Sequence, residues 1–307
     1  METLSEIGEH EAIRRLTSML GSHPDLAVGA GDDCAVCHVP GASFDQVFTT
    51  DPIIENIHFL SDDDPRLIGN KAAGRVLSDL AAMGAGPQWL LANVVAPPDL
   101  EVNRLEVIYE GMNALCKRFG ATLIGGDLAE GPVLELHLFA TGILPSGTAL
   151  LRSGAKSDDI IHVTGPLGCS SNRHHLDFVP RVEEGIFLRE SGCVHAMMDV
   201  SDGLATDLRH IMDRSGVGAE LDEEAIPKNG TLERALFDGE DFELLLTTPR
   251  EKAEKLEEAW RKRFGSDLAP IGVVTDAGGI LQLKSSDGRS VVIESKGFEH
   301  FSAGKTI

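Results

Sequence analysis

Six short segments of this chain set a carboxylate among Gly, Ser or Thr. They are Gly31-Asp32-Asp33, Thr49-Thr50-Asp51, Leu77-Ser78-Asp79-Leu80, Gly125-Gly126-Asp127, Asp199-Val200-Ser201-Asp202-Gly203 and Asp238-Gly239-Glu240-Asp241. A carboxylate repels a phosphate, but one or two carboxylates with phosphate oxygens complete the octahedral oxygen shell of Mg²⁺. Acids scattered on Gly-flanked turns therefore point to a metal-bridged phosphate site drawn from several parts of the fold. Each segment alone also suits a turn or a helix cap. Asp51 stands apart because it directly follows the apolar run Gln46–Thr50, and ligands of α/β folds gather at strand ends.

The elements that must position these acids alternate along the chain. Periodicity predicts helices over Leu4–Leu20, Asp64–Met83 and around Leu105–Leu115. Asp64-Pro65 supplies an N-cap and first-turn proline for the second of these, and Gly84 a stop. Strands are expected at Gln46–Thr50, Gln88–Ala96, Thr122–Ile124 and Leu134–Leu144. The turn residues Pro145-Ser146-Gly147-Thr148 suggest a boundary between domains 1–147 and 148–307. Beyond it come strands at Asp159–Thr164, His195–Met198 and Phe242–Thr247, helices at Arg181–Glu190, Asp202–Ser215 and Glu251–Phe264, and three short closing strands. The fold class is thus α/β (α+β) in two domains.

Composition narrows the function. With 307 residues, 42% apolar and 25% charged, the chain reads as an ordinary globular protein with buried cores. Its 49 acidic against 27 basic residues give a net charge of −22, which argues against nucleic acid and anionic membrane as partners. No segment has the length of a membrane span, and Met1–Glu6 lacks the features of a secretory signal, so a cytoplasmic location with reduced thiols is expected for the five cysteines. Cys34-Ala35-Val36-Cys37-His38 fits a c-type haem attachment pattern, but the alternation suits a buried strand after a turn. Gly304-Lys305-Thr306 resembles the end of a P-loop, yet residue 299 is Glu and not the required Gly.

The acidic segments, in order, carry a resemblance. Gly29-Ala30-Gly31-Asp32-Asp33-Cys34-Ala35, Thr49-Thr50-Asp51 with His58-Phe59, and Leu77-Ser78-Asp79-Leu80-Ala81-Ala82-Met83-Gly84 are similar to motifs of the thiamine-monophosphate kinase family. Ile124-Gly125-Gly126-Asp127, Leu150-Leu151-Arg152-Ser153-Gly154-Ala155-Lys156, Met198-Asp199-Val200-Ser201-Asp202-Gly203-Leu204, Gly239-Glu240-Asp241 and Lys296-Gly297-Phe298-Glu299-His300-Phe301 continue the match. It spans nearly the whole chain. The first Cys lies at 34 and the chain ends Ala303-Gly304-Lys305-Thr306-Ile307, unlike the selenophosphate synthetase and hydrogenase-maturation members of the same ATP-using superfamily. Three differences stand out. Cys169 occupies the place of an Asp, Asp238 that of a Gly, and the segment from Gly168 to Pro180 is shorter by roughly 30 residues than the family's, long connections being where such length varies.

The resemblance implies a two-domain aminoimidazole-ribotide synthetase-like fold, with the N-terminal domain binding ATP and Mg²⁺ and pairing with its copy in a homodimer. It implies ATP as co-substrate, several Mg²⁺ ions, and thiamine monophosphate as acceptor. It places Asp33, Thr49, Thr50, Asp51, Asp79, Asp127 and Asp199 as metal ligands, directly or through water, and Asp202 at a further ion. Gly126, Asp127, Arg152 and Ser201 match ATP contacts, Asp51, Asp127 and Arg152 being the catalytic set. His58, Glu240 and Phe298 match the thiamine-phosphate pocket, where Phe298 would stack on a ring. The shortened segment leaves open a different acceptor, or a dimer that binds nucleotide without turnover.

Overall fold

The structure, a computed structural model, describes residues 2–168, 170 and 174–293. The first half forms helix α1 (Leu4–Thr17), strands β1 (Leu26–Val28), β2 (Ala35–His38) and β3 (Phe44–Ile54), helix α2 (Pro65–Ala82), strand β4 (Gly86–Ala96), helix α3 (Val102–Arg118), and strands β5 (Thr122–Glu130) and β6 (Glu135–Pro145). Its six strands make one sheet in the order β1-β2-β3-β6-β4-β5, with β5 as an edge.

Helix α2 is the spine. Asp64 accepts the Arg66 N–H at its start and Pro65 fills the first turn. Its residues are buried on nearly every side, because it packs on β3, β6 and α3 and also on elements of the second half. The α2–α3 crossing depends on two glycines: a Cβ at Gly69 would lie 2.0 Å from the Ile108 carbonyl oxygen, and one at Gly111 2.1 Å from that of Arg66. Gly111→Ala is therefore expected to lower stability by about 1–3 kcal/mol, read as a lower denaturant midpoint with an unchanged slope.

The second half comprises strand β7 (Ile160–Val163), helices α4 (His174–Asp177) and α5 (Val182–Ser191), strand β8 (Ala196–Asp199), helix α6 (Leu204–Ser215), strand β9 (Gly218–Asp222), helix α7 (Leu232–Phe237), strand β10 (Leu244–Thr248), helix α8 (Arg250–Phe264), and strands β11 (Ala269–Thr275), β12 (Leu281–Lys284) and β13 (Ser290–Val292). Its seven strands run β13-β12-β9-β11-β7-β10-β8. The two halves share a core: Leu176, Val182, Leu188, Met197, Leu244 and Trp260 belong to the same buried cluster as α2 and the first sheet. A second cluster lies between the other face of the seven-stranded sheet and α6.

Several expectations need correction. Asp51 does not end a strand; β3 runs on through it to Ile54. Pro52 is tolerated because β2 pairs only with Asp45–Phe48, leaving β3 without a neighbour on that side beyond this point among the described residues. Gly125-Gly126-Asp127 is not a turn but the middle of β5, paired in parallel with Leu91–Asn93. The acids therefore sit largely on rigid elements. Helix α6 starts at Leu204, not Asp202, and neither Asp199 nor Asp202 caps it. Strands β1 and β9 and helices α4 and α7 were not anticipated from periodicity, being only 3 to 6 residues long. β2 is the expected strand, with Val36 and the preceding Cys34 buried and His38 exposed, and none of the four described cysteines is in a disulfide. No helix among the described residues is long and apolar enough to cross a membrane.

Candidate active site

Four elements converge on one acidic cluster. Alternation along β3 turns Val47, Thr49, Asp51 and Ile53 to the helix side, with Val47 and Ile53 buried. Asp79 comes from the penultimate turn of α2, Asp33 from the turn before β2, and Asp199 from the last position of β8. One oxygen each from Asp33, Asp79 and Asp199 lies within 4.8 Å of the others. Octahedral Mg²⁺ at 2.0–2.1 Å from its ligands spaces opposite oxygens about 4.2 Å apart, so this donor set fits a hard divalent cation after a small side-chain adjustment.

Neighbouring groups orient each acid. Thr49 Oγ1 donates to Asp79 at 2.5 Å, and Ser78 Oγ donates to Asp199. Arg152 forks onto Asp33 at 2.8 and 3.4 Å, while its backbone N–H donates to Asp32 at 2.8 Å. Burial, with Asp51, Asp199 and Asp33 alongside, pushes the Asp79 carboxyl well above the carboxylate range. Burial, then Asp33, raises Asp199 to about 7.

Beside the cluster lies a second group of charges along one face of α2. Lys71 is fully buried; its ammonium donates to the His58 carbonyl at 2.6 Å, to Glu240 at 2.8 Å, and meets His175 Nδ1 at 2.8 Å. Burial lowers it to about 8, against the pull of Glu240. Arg75, one turn on, bridges Asp51 at 2.9 Å and Glu240 at 3.3 Å. Burial would raise Glu240, but Lys71 and Arg75 hold it below its ordinary value. Glu240 itself adopts φ +64°, a left-handed conformation costly for a residue with a Cβ, as does Phe242 at +52°. That loop is held by backbone bonds from Glu240 to Ser201 and from Phe242 to Val200, and by a Phe178–Phe242 stack at 4.0 Å.

Counting both groups, Asp33, Asp51, Asp79, Asp199 and Glu240 face Arg152, Arg75 and Lys71. With every group ionised, two negative charges remain, the charge of one divalent cation.

Not every candidate joins this cluster. Thr50 points to the other face of β3, where its hydroxyl donates to the Leu138 carbonyl at 2.8 Å. Asp127 pairs with exposed Asn93 on that same open face, and β5 is three strands from β3, about 14 Å away at ordinary strand spacing. Gly126 lies in the row of Asp51, Leu138 and Ala92, where a Cβ would come 1.8 Å from the Ala92 carbonyl oxygen. Ser201 and Asp202 follow Asp199 in the loop before α6, and their N–H groups donate to Asp207 Oδ2 at 3.0 and 3.1 Å. His58 is buried, its ring Nδ1 accepting the Ile54 N–H at 3.0 Å. Phe298 lies outside the described residues.

Sequence reasoning missed Lys71, Arg75, Ser78 and Asp207. Their signal was the i, i+4 row Lys71-Arg75-Asp79 on one helix face, and an acid in the first turn of α6.

Residues 31–144 match the family model described as AIR synthase related protein, N-terminal domain, and residues 156–284 match its C-terminal domain. A thiamine-monophosphate kinase of Salmonella typhimurium is 36% identical, covering 96% of this chain and 98% of its own length. Among solved structures, AaThiL complexed with AMPPCP and TMP superposes with a TM-score of 0.83 at 28% identity, covering 98% of this chain and 99% of the other. Thiamine-monophosphate kinase from Stenotrophomonas maltophilia gives a TM-score of 0.74 at 31% identity, over 92% and 96% of the two chains. The likeness thus covers both halves, and the chain belongs to the thiamine-monophosphate kinase family.

Proposed function

We propose that this chain transfers the γ-phosphoryl group of ATP to thiamine monophosphate, giving thiamine diphosphate and ADP. The observation that carries this reading is the triad of Asp33, Asp79 and Asp199, which keeps two uncompensated charges once Arg152 is counted, beside two buried cations, Lys71 and Arg75, that are held by Glu240 and Asp51. One side suits metal-bound nucleotide phosphates and the other an anionic acceptor. Mg²⁺, when bound, neutralises phosphate charge and holds the reacting groups in line.

The residues of the chain do the rest. Asp33, Thr49, Asp51, Asp79 and Asp199 present oxygens to the metal side, and Asp202 stands beside them for a further ion. Arg152 offers a planar fork to the nucleotide phosphates, with Ser201 in the adjacent loop. His58, Glu240 and Phe298 are assigned to the acceptor's ring system. The acceptor oxygen belongs to a phosphate that is already largely anionic at neutral pH, so no side chain need remove a proton. Incubation of the protein with ATP, Mg²⁺ and thiamine monophosphate should form thiamine diphosphate and ADP in equal amounts. ADP release that is indifferent to thiamine monophosphate would reject the acceptor.

Protons compete with the metal at this cluster. Asp199 titrates at about 7, above its ordinary 3.8, because of burial and Asp33. A raised carboxyl favours the fold fully at low pH, and that contribution is lost as pH rises through about 7. Without metal, stability should therefore fall between pH 4 and 8, whereas the gain in melting temperature on adding Mg²⁺ should grow over the same range. A Mg²⁺ effect that is flat with pH would argue against metal at Asp199.

The open face and free edge of the first sheet support a homodimer. Trp89 and Leu91 on β4 are exposed on that face, Ile124 and Leu128 are exposed on the edge strand, and among the described residues β5 has no neighbour on its outer side. A second copy covering this face and edge would also cover Asp127, with Gly126 next to it on the edge strand, so their nucleotide and metal roles belong to the dimer. Sedimentation should show a dimer at micromolar concentration, converted to monomer by Leu128→Glu. A wild-type monomer would remove this assembly.

A further inference from the structure

We propose that Arg75 is the group that receives the phosphate of the acceptor, an inference that rests on the phosphotransfer reading above. Lys71, Arg75 and Asp79 follow one another at single-turn spacing on α2. Lys71 faces the acceptor pocket and Asp79 the metal cluster, so Arg75 occupies the position between them. The acceptor's phosphate must lie in that interval, since its oxygen attacks a γ-phosphorus held at the cluster while its ring system sits by His58 and Glu240.

Lys71 cannot fill the role. Its three donors are already used by the His58 carbonyl, Glu240 and His175, and its side chain has no exposed surface. Arg75 differs. It retains 16% exposure, and its fork spans oxygens of two separate carboxylates, Nε to Asp51 and Nη1 to Glu240. Burial opposes its charge, but Asp51 and Glu240 outweigh that and raise its pKa, so it stays a guanidinium throughout. Asp51 on Nε and Glu240 on Nη1 take different edges of the guanidinium, and the edge formed by Nε and Nη2 is one that grips a phosphate in a bidentate manner. Asp51 is also a candidate metal ligand, so metal loading and Arg75 compete for one carboxylate. With a divalent cation held by Asp51, Nε would be left for the acceptor.

In the transfer, an acceptor phosphate oxygen bonds to the γ-phosphorus. The bond from that phosphorus to the bridging oxygen breaks, its electron pair leaving on ADP. No proton moves. Arg75 offsets the repulsion between the two phosphates as they approach.

Calorimetric binding of thiamine monophosphate and of thiamine, both with Mg²⁺ and without ATP, separates this role from a structural one. Wild type should prefer the monophosphate. Arg75→Met should weaken the monophosphate by roughly 10–100-fold while changing thiamine by less than about threefold, and Arg75→Lys, which keeps charge and fold but loses the fork, should fall between. Equal loss of both ligands in the two variants would overturn the proposal, as would a wild-type preference retained in Arg75→Met. A wild type that turns over ATP and thiamine monophosphate yet binds both ligands alike overturns the phosphate assignment alone. A wild type without turnover overturns the kinase reading and this inference with it.

Discussion

Asp79→Asn is expected to abolish most turnover while leaving the metal-free protein at least as stable as the wild type. These two effects run in opposite directions, and that is what distinguishes a ligand from a core residue. Asp79 is surrounded by Asp33, Asp51 and Asp199, and burial together with these acids drives its carboxyl far above the ordinary range. An amide of the same shape keeps the contact with Thr49 and removes both the desolvation cost and the repulsion. The folded chain loses nothing it needs to stand. It loses the charge that would hold a cation, for which a fall of about 10²–10³-fold in kcat is expected by analogy with other single electrostatic groups aimed at developing charge. Mg²⁺ should also raise the melting temperature less than in wild type. Asp62→Asn is the matched control, because Asp62 is exposed in the loop before α2. Asp79→Asn with near-normal turnover, or equal damage from Asp62→Asn, would remove Asp79 from the metal side.

What was legible beforehand follows the range of the forces involved. Helices α2 and α3 were readable because their signals are local: Asp64-Pro65 at a start, an apolar stripe, Gly120 at an end with φ +72°. Strand β5 was readable only at its start, Thr122–Ile124, because Gly125-Gly126 reads as a turn until β4 supplies eight residues of pairing, and only the sheet supplies them. The end of β3 was missed for a similar reason. The tolerance of Pro52 within β3 depends on where β2 begins, at Ala35 opposite Phe48.

The site divides the same way. Asp33, Asp79 and Asp199 were legible as motifs, and the fold brings them together. Thr50 and Asp127 carry equally good motifs, yet the alternation of strands turns both to the open face of the sheet. Lys71 and Arg75 were invisible because cations on a helix normally face water. Here the pocket that buries them is closed by His175 and Glu240, more than 100 positions away. Asn70 ties that short segment down by donating to the Leu176 and Phe178 carbonyls, and Phe178 packs over Gly74, where a Cβ would come 2.6 Å from its ring. The shortened connection thus still reaches the pocket and supplies one of its walls.

Arg152→Met should have the converse effect to Asp79→Asn: a loss of stability that Mg²⁺ partly repairs. The guanidinium of Arg152 is the partner of Asp33, whose side chain is 1% exposed, and Asp32 and Asp199 lie near enough to raise its pKa further against burial. Removing one partner of a buried pair leaves the other charge uncompensated, a cost of about 3–5 kcal/mol, placed at the lower end here because Arg152 is 19% exposed. The backbone N–H bond to Asp32 survives the substitution, so the loop itself is retained. Since the cluster is already two charges short, the variant is three short, and a divalent cation beside Asp33 should bind with greater relative benefit. At about 100 times its dissociation constant a ligand confined to the folded state adds about 2.7 kcal/mol, enough to recover most of the loss. Turnover should not recover with it, because the fork assigned to the nucleotide phosphates is gone, and KM for ATP should rise more than KM for thiamine monophosphate. The decisive measurement is denaturant unfolding of wild type, Arg152→Met and Asp79→Asn, each with and without Mg²⁺. If the two variants shift in the same direction without metal, the cluster is not held by charge balance, and the divalent cation site at Asp33, Asp79 and Asp199 falls with it.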